Sequence, residues 1–418
     1  MSIFLASLVF ADGNADSERA VCLRDSLKKD SFTFSTAYLE GQYTDKQLAG
    51  FYLDLTNAFD RASETASTLL LKKAFEGDIG AFLAVCSVGF SSYYITSKAS
   101  TPFHEVGHGL RSESFGMDYM FSLDCNDKSP FKKDENFFKF FVRNMFNNDR
   151  ACVRYRSYRI HKLDNDSYCN CEIIVSAGGM NNEIYLAERI SDDIYTRNKE
   201  TRLLPYILYL ENRFSPIKYD RTAKELGDDP FDIRKAFKEK RRLDFKKGVI
   251  EDAGVRSLFL SGTTYSPLYS FFTKKPLKLY GFRIPDVFPY ITTKGMSYKV
   301  VSGYEINEDL RLIFGFERVF KVEPATEYSL GLEQTATINH ALPISYRGVV
   351  TFGQGLDLEA SCSIPISKYL SIGAGLEIYS CKSLQGQRRA TSGMLDKNGM
   401  FDENGLSCDV FVSMSYKF

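Results

Sequence analysis

Residues 328–338 read YSLGLEQTATI. Tyr328, Leu330, Leu332, Ala336 and Ile338 fall on one side of a period-two pattern, and Ser329, Gly331, Glu333, Thr335 and Thr337 on the other. Side chains alternate across a strand, so this spacing predicts a β-strand with one apolar and one polar face. The neighbouring segments obey the same rule. YKVVSGYEI (298–306) alternates, and after a turn at 307–309 LRLIFGFERVF (310–320) sets Leu310, Leu312, Phe314, Phe316 and Phe320 on one side. LDLEASCSI (356–364), LSIGAGLEI (370–378) and DVFVSMSYKF (409–418) repeat it. Consecutive strands of this kind predict an antiparallel up-and-down β meander over residues 285–418.

Residues 12–284 read differently. DKQLAGFYLDLTNAFDRASETASTLLLKKAF (45–75), NNEIYLAERISDDIYTRN (181–198), LLPYILYLENRF (203–214) and DPFDIRKAFKEKRRLDFKKGVIEDAG (229–254) carry helical spacing. The fold class is therefore α+β, a mainly helical region followed by the meander. Prolines in FFTKKPLKLYGFRIPDVFPY (271–290) punctuate the change. IGAFLAVCSVGFSSYYITS (79–97) lacks any charge and is long enough for a membrane-spanning helix, although it suits a buried helix equally. VRYRSYRI (153–160) and CEIIVSAG (171–178) are candidate strands lent to the sheet by the first half. Residues 1–11 fit either a shortened export signal, with Val9 and Ala11 as the small-residue cleavage pattern, or an apolar strand.

Lys plus Arg equals Asp plus Glu, 53 each, so net charge points to no polyanionic partner. The basic run KAFKEKRRLDFKK (235–247) is mixed with acids and apolar residues and reads as a solvated helix face, which argues against nucleic acid. Nine cysteines leave at least one thiol outside any intrachain bridge. Cys381 and Cys408 flank a long Gly-rich loop, and a bridge across its base is expected in an oxidising compartment. Cys169 and Cys171 are too close to pair.

The last strand ends on Phe418 with Tyr416 two residues before it. In this it resembles the final strand of Gram-negative outer-membrane β-barrels. The resemblance implies a membrane β-barrel in the bacterial cell envelope, its apolar face on the lipid bilayer and its polar face on a lumen. A soluble barrel, with inside and outside exchanged, has the same alternation.

FHEVGHGL (103–110) holds two of the chain's four histidines. His104 and His108 stand one helical turn apart and face one point, with Glu105 beside them. Two fixed imidazoles and a carboxylate able to take a proton from water form the core of a Zn2+ hydrolysis site. Ser100, Thr101 and Pro102 look like the helix start. Gly107 and Gly109 would weaken an isolated helix, so packing or metal must hold this turn.

Here the sequence resembles the zincin metallopeptidases, which implies Zn2+ on His104 and His108, Glu105 as catalytic base, and a protein or peptide substrate. A third ligand is required. The metzincin subclass would need His where Ser114 stands, and the site-2 proteases an Asp-Gly element that SLDCND (122–127) lacks. The gluzincin pattern points to Glu183, which follows Gly178, Gly179, Asn181 and Asn182. Paired glycines let that helix approach the motif helix closely. Glu188 and Asp118 are the alternatives. For an oxyanion stabiliser, His161 and several tyrosines including Tyr185 are candidates and none is singled out. The expected function is a zinc metallopeptidase of the outer membrane. The competing expectation is a non-enzymatic outer-membrane barrel, a pore or scaffold in which HEVGH is structural.

Overall fold

The computed structural model describes residues 31–35, 47–58, 78–122, 137–145, 152–156, 164–198, 203–224, 228–242, 244–273, 277–320, 323–338, 342–367, 369–388 and 405–417. The N-terminal segment 1–11, His161 and His340 lie outside them. Strand β1 (Ser31–Ser35) is followed by helix α1 (47–58) and the long α2 (Asp78–Ser114). Strands β2 (Asp118–Ser122) and β3 (Cys152–Arg156) flank α3 (Phe137–Met145). Helices α4 (Asn165–Ser176), α5 (Gly178–Asp193), α6 (Leu203–Thr222), α7 (Asp229–Glu239), α8 (Val249–Leu260) and α9 (Gly262–Thr273) complete the first part.

The meander follows. It runs through β4 (Lys278–Leu279), β5 (Phe282–Thr292), β6 (Gly295–Glu305), β7 (Leu310–Val319), β8 (Ala325–Ile338), β9 (Leu342–Phe352), β10 (Leu356–Pro365) and β11 (Leu370–Ser380). A short helix α10 (Leu384–Arg388) precedes β12 (Leu406–Lys417). β4 to β12 pair in chain order, all antiparallel, and β1 adds itself to β12. The α+β class and the meander are as the alternation predicts.

The barrel is not closed. Among the described residues β1 and β4 are the two edges of the sheet. Beyond the two residues of β4, side chains from the helices occupy the free edge of β5. The Ser261 hydroxyl donates to the Val287 carbonyl and accepts its N–H, both at 3.0 Å, and Arg213 donates to the same carbonyl at 2.7 Å. Asn181 does likewise at Ile291, its Nδ2 donating to the carbonyl at 2.8 Å and its Oδ1 accepting the N–H at 2.9 Å. The edge groups of Val287 and Ile291 are thereby taken and are not offered to another strand.

The polar face of the sheet is roofed by helices. Asp192 of α5 takes Arg283 of β5 and Arg311 of β7 at 3.1 Å each, and Arg347 of β9 at 2.7 Å. Burial alone would raise its carboxyl, but the guanidiniums outweigh that and hold it well below the usual range. Glu188, one turn earlier, accepts from Lys299 and from the Tyr290 hydroxyl, both at 2.6 Å. The opposite face of β7–β12 carries the apolar set and is uncovered, with Val410 74% and Leu356 62% exposed. Aromatic rings gather at both strand ends on this face. Tyr328 lies 5.5 Å from Phe316 and 5.9 Å from Phe352 at one end, and Tyr369 lies 6.4 Å from Tyr416 at the other.

Other expectations need correction. The strand given by the first half is Ser31–Ser35, whereas Cys152–Arg156 pairs with β2 in a separate two-stranded sheet and CEIIVS is helical. Cys381 and Cys408 are free thiols. Cys408 stands opposite Ile378, an offset of three residues from Cys381, or about 10 Å along the strand, beyond disulfide reach. Among the described residues no helix is long and apolar enough to cross a membrane.

Candidate metal centre

The motif helix does not start at Ser100. α2 begins at Asp78 and continues through Pro102. Proline has no N–H to give the carbonyl four residues back, and Asn144 of α3 supplies the missing donor to Lys98 O at 2.9 Å. The helix therefore reaches its histidines unbroken, with HEVGH in its buried C-terminal half.

α2 crosses α5 where both carry glycine. A methyl on Gly178 would strike the Gly107 carbonyl, and one on Gly179 would enter the His104 ring. The close approach expected from the paired glycines is present. It brings Glu183, one turn into α5, against the imidazole of His104.

Three groups converge. His104 Nε2 and His108 Nε2 stand 3.1 Å apart. Asp229 Oδ2, from the first turn of α7, lies 3.0 Å from the former and 3.2 Å from the latter. The other ring nitrogens are engaged. His108 Nδ1 meets the Val175 carbonyl at 2.7 Å, and a carbonyl can only accept, so Nδ1 carries the proton. His104 Nδ1 meets Glu183 Oε2 at 3.0 Å, and Ser215 also donates to that oxygen. With both Nδ1 atoms as donors, each Nε2 offers its lone pair beside Asp229 Oδ2 whenever its imidazole is neutral.

Zinc fits this triangle. Ligand atoms on a tetrahedral zinc stand about 3.3 Å apart, given bonds of about 2.0–2.1 Å. Two imidazoles and a carboxylate are zinc-type donors, and each imidazole has the hydrogen-bonded partner that metal-bound histidines keep on the other nitrogen. The Asp229 side chain is 23% exposed against 4% for His104, so the centre opens on the Asp229 side.

Electrostatics follow from burial. For His104, burial acts to lower the imidazole, but Glu183 and Asp229 outweigh it and hold it well above the ordinary value. Burial likewise works against His108, and Asp229 raises it. Burial would raise Asp229, yet His108 and His104 hold it well below the usual carboxylate range. Glu105 is pushed up to about 7, by burial first, against the pull of the two imidazoles. The Tyr219 ring stacks on His104 at 4.7 Å. Burial and the nearby carboxylates raise its hydroxyl well above its ordinary value.

The sequence-based candidates separate in space. His104, Glu105, His108 and Glu183 come together, with Glu183 on the far nitrogen of His104 rather than beside the two Nε2 atoms. Glu188 is on the sheet side of α5, bound to Lys299. Asp118 is in β2, paired with Arg156 across the small sheet. Tyr185 is packed in the core with Ile184 and Leu186. Sequence reasoning missed Asp229, which lies 125 residues beyond His104. Its local signal is an acidic pair followed by Pro230 at a helix start, and that pattern occurs at many helices without a metal. No protein-family model, curated protein or solved structure matches the chain.

Proposed function

We propose that this chain is a zinc-dependent hydrolase of peptide bonds, held at a lipid bilayer by its β-sheet. The single observation that carries the catalytic reading is the triangle of His104 Nε2, His108 Nε2 and Asp229 Oδ2, whose three atoms stand 3.0 to 3.2 Å from one another. His104, His108 and Asp229 would hold the ion, with Glu183 fixing the orientation of His104. A zinc ion bound there supplies Lewis-acid chemistry, acidifying water and polarising a carbonyl. Glu105, buried beside both imidazoles, would take a proton from the attacking water and return it to the leaving amine.

The bilayer reading rests on the uncovered face of β7–β12. Its apolar residues point outward and its charged residues inward, the reverse of a soluble sheet packed on helices. Strands of 10 to 14 residues match what a tilted spanning strand needs, about 9–11. This face supports the bacterial outer membrane as the location.

Metal analysis of the purified chain tests the centre. About one zinc per chain is expected in the wild type and a loss in His108→Ala and Asp229→Ala. Glu105→Gln should retain zinc and lose hydrolysis of a peptide library by roughly 10²–10⁴-fold. A folded wild type that takes up no zinc when supplied with it ends the catalytic reading.

A further inference from the structure

The inner face of the sheet holds a second site. A cavity of ≈ 250 Å³ lies between α1, the C-terminal end of α5 and the inner faces of β8–β12. Gly179 sits over His104, and Asp193 at the cavity is fourteen residues further along α5, so the two places are about 21 Å apart.

Two register rows make the cavity floor. In one, Ser345 of β9, Ser363 of β10, Gly373 of β11 and Ser413 of β12 lie side by side. In the other, Arg347, Ser361, Gly375 and Phe411 do the same. Glycine has a purpose in both. A methyl on Gly373 would meet the Ser413 hydroxyl, and one on Gly375 would strike the Phe411 ring, which lies across that position. Hydroxyls and one aromatic ring thus lie side by side across four neighbouring strands.

The hydroxyls are the groups with capacity to spare. Among the described residues, those of Ser345, Ser361, Ser363 and Ser413 make no hydrogen bond. The charged groups are engaged elsewhere, since Arg347 is held by Asp192 at 2.7 Å and by Glu333 at 3.4 Å. Four carboxylates line the cavity against two guanidiniums, which disfavours an anion. With Asp192 and Glu333 already paired to arginine, the pull on a cation is largely cancelled. What remains is a wall that donates and accepts, and an aromatic ring for C–H contact.

We propose that this cavity binds one sugar unit, a neutral polyhydroxylated ring. Hydroxyl groups complement hydroxyl groups because each both donates and accepts, and Phe411 covers the apolar side of the ring. The site does not depend on the metal centre, and its occupancy survives removal of metal by a chelator.

Saturation-transfer NMR on the full chain, in a micelle of a detergent without a sugar headgroup, tests it. The probes are D-glucose, D-galactose, D-mannose and N-acetyl-D-glucosamine, beside glycine and inorganic phosphate. Saturable binding of at least one sugar is expected, unchanged by a chelator. Its affinity should fall tenfold or more in Ser363→Ala/Ser413→Ala and also in Phe411→Leu, variants whose circular dichroism reports the fold. Silence with all four sugars overturns the proposal. Equal sugar affinity in the folded variants does so too, as does binding of glycine or phosphate in place of a sugar.

Discussion

Glu183 and Asp229 are both carboxylates within 3.0 Å of a His104 nitrogen, yet they stand on opposite sides of its ring. In the proposed centre, only the side decides which of them would be a ligand. A glutamine at 183 still accepts the Nδ1 proton but carries no charge, so zinc affinity in Glu183→Gln should fall about 10–100-fold with the site still filled at saturating zinc. Asp229→Asn should lose the ion. Competition against a chromophoric chelator reads both, and the opposite ranking would return Glu183 to the coordination shell.

Between elements, the critical joint is α5 against β5. Asn181 stands two residues after Gly179 and pairs with both backbone groups of Ile291, so one side chain ties the glycine crossing to the sheet edge. Asn181→Ala would leave a buried N–H and C=O unmatched, at a cost of about 1–3 kcal/mol. Because α5 also carries Glu183, zinc affinity should drop along with stability. Urea unfolding and zinc titration of the same variant test this, and a variant as stable as the wild type would show that water replaces the amide. The glycines explain how α5 comes so near. Their backbone-to-backbone contact leaves no space for a side chain, and the histidine ring rests on the one part of α5 without a Cβ.

At the scale of the molecule, the sheet is inverted with respect to a water-soluble layer. Charged residues meet α5, and Val410, Val412, Met414 and Tyr416 face outward from the last strand. An arginine at Val412 should cost about 2–4 kcal/mol if that face meets the middle of a bilayer. If it faces water, the cost should be within about 0.5 kcal/mol. Folding into lipid vesicles, measured as a function of denaturant, separates these values. The helical part would then sit on the inner side of the sheet, with the metal centre beyond it at the glycine crossing.

Much of this was readable in the chain. Alternation is a property of neighbouring residues, so YSLGLEQTATI, LSIGAGLEI and DVFVSMSYKF showed their strands and both their faces without any partner in view. HEVGH is equally local, since one helical turn places His104 and His108 on one side whatever surrounds them, and the paired glycines at 178 and 179 announced a close approach. The sequence did not reveal what met those faces. Asp229 reaches the histidines only because α7 packs beside α2, and Glu183 is turned to Nδ1 by a crossing geometry that spacing does not encode. Closure of the sheet was likewise a tertiary decision, because a strand pattern is silent on whether an edge meets another strand or the side chains of Asn181, Ser261 and Arg213. Local periodicity marked the strands of the meander with their apolar and polar faces, whereas contacts between residues far apart in sequence decided which faces are covered and which groups share a site.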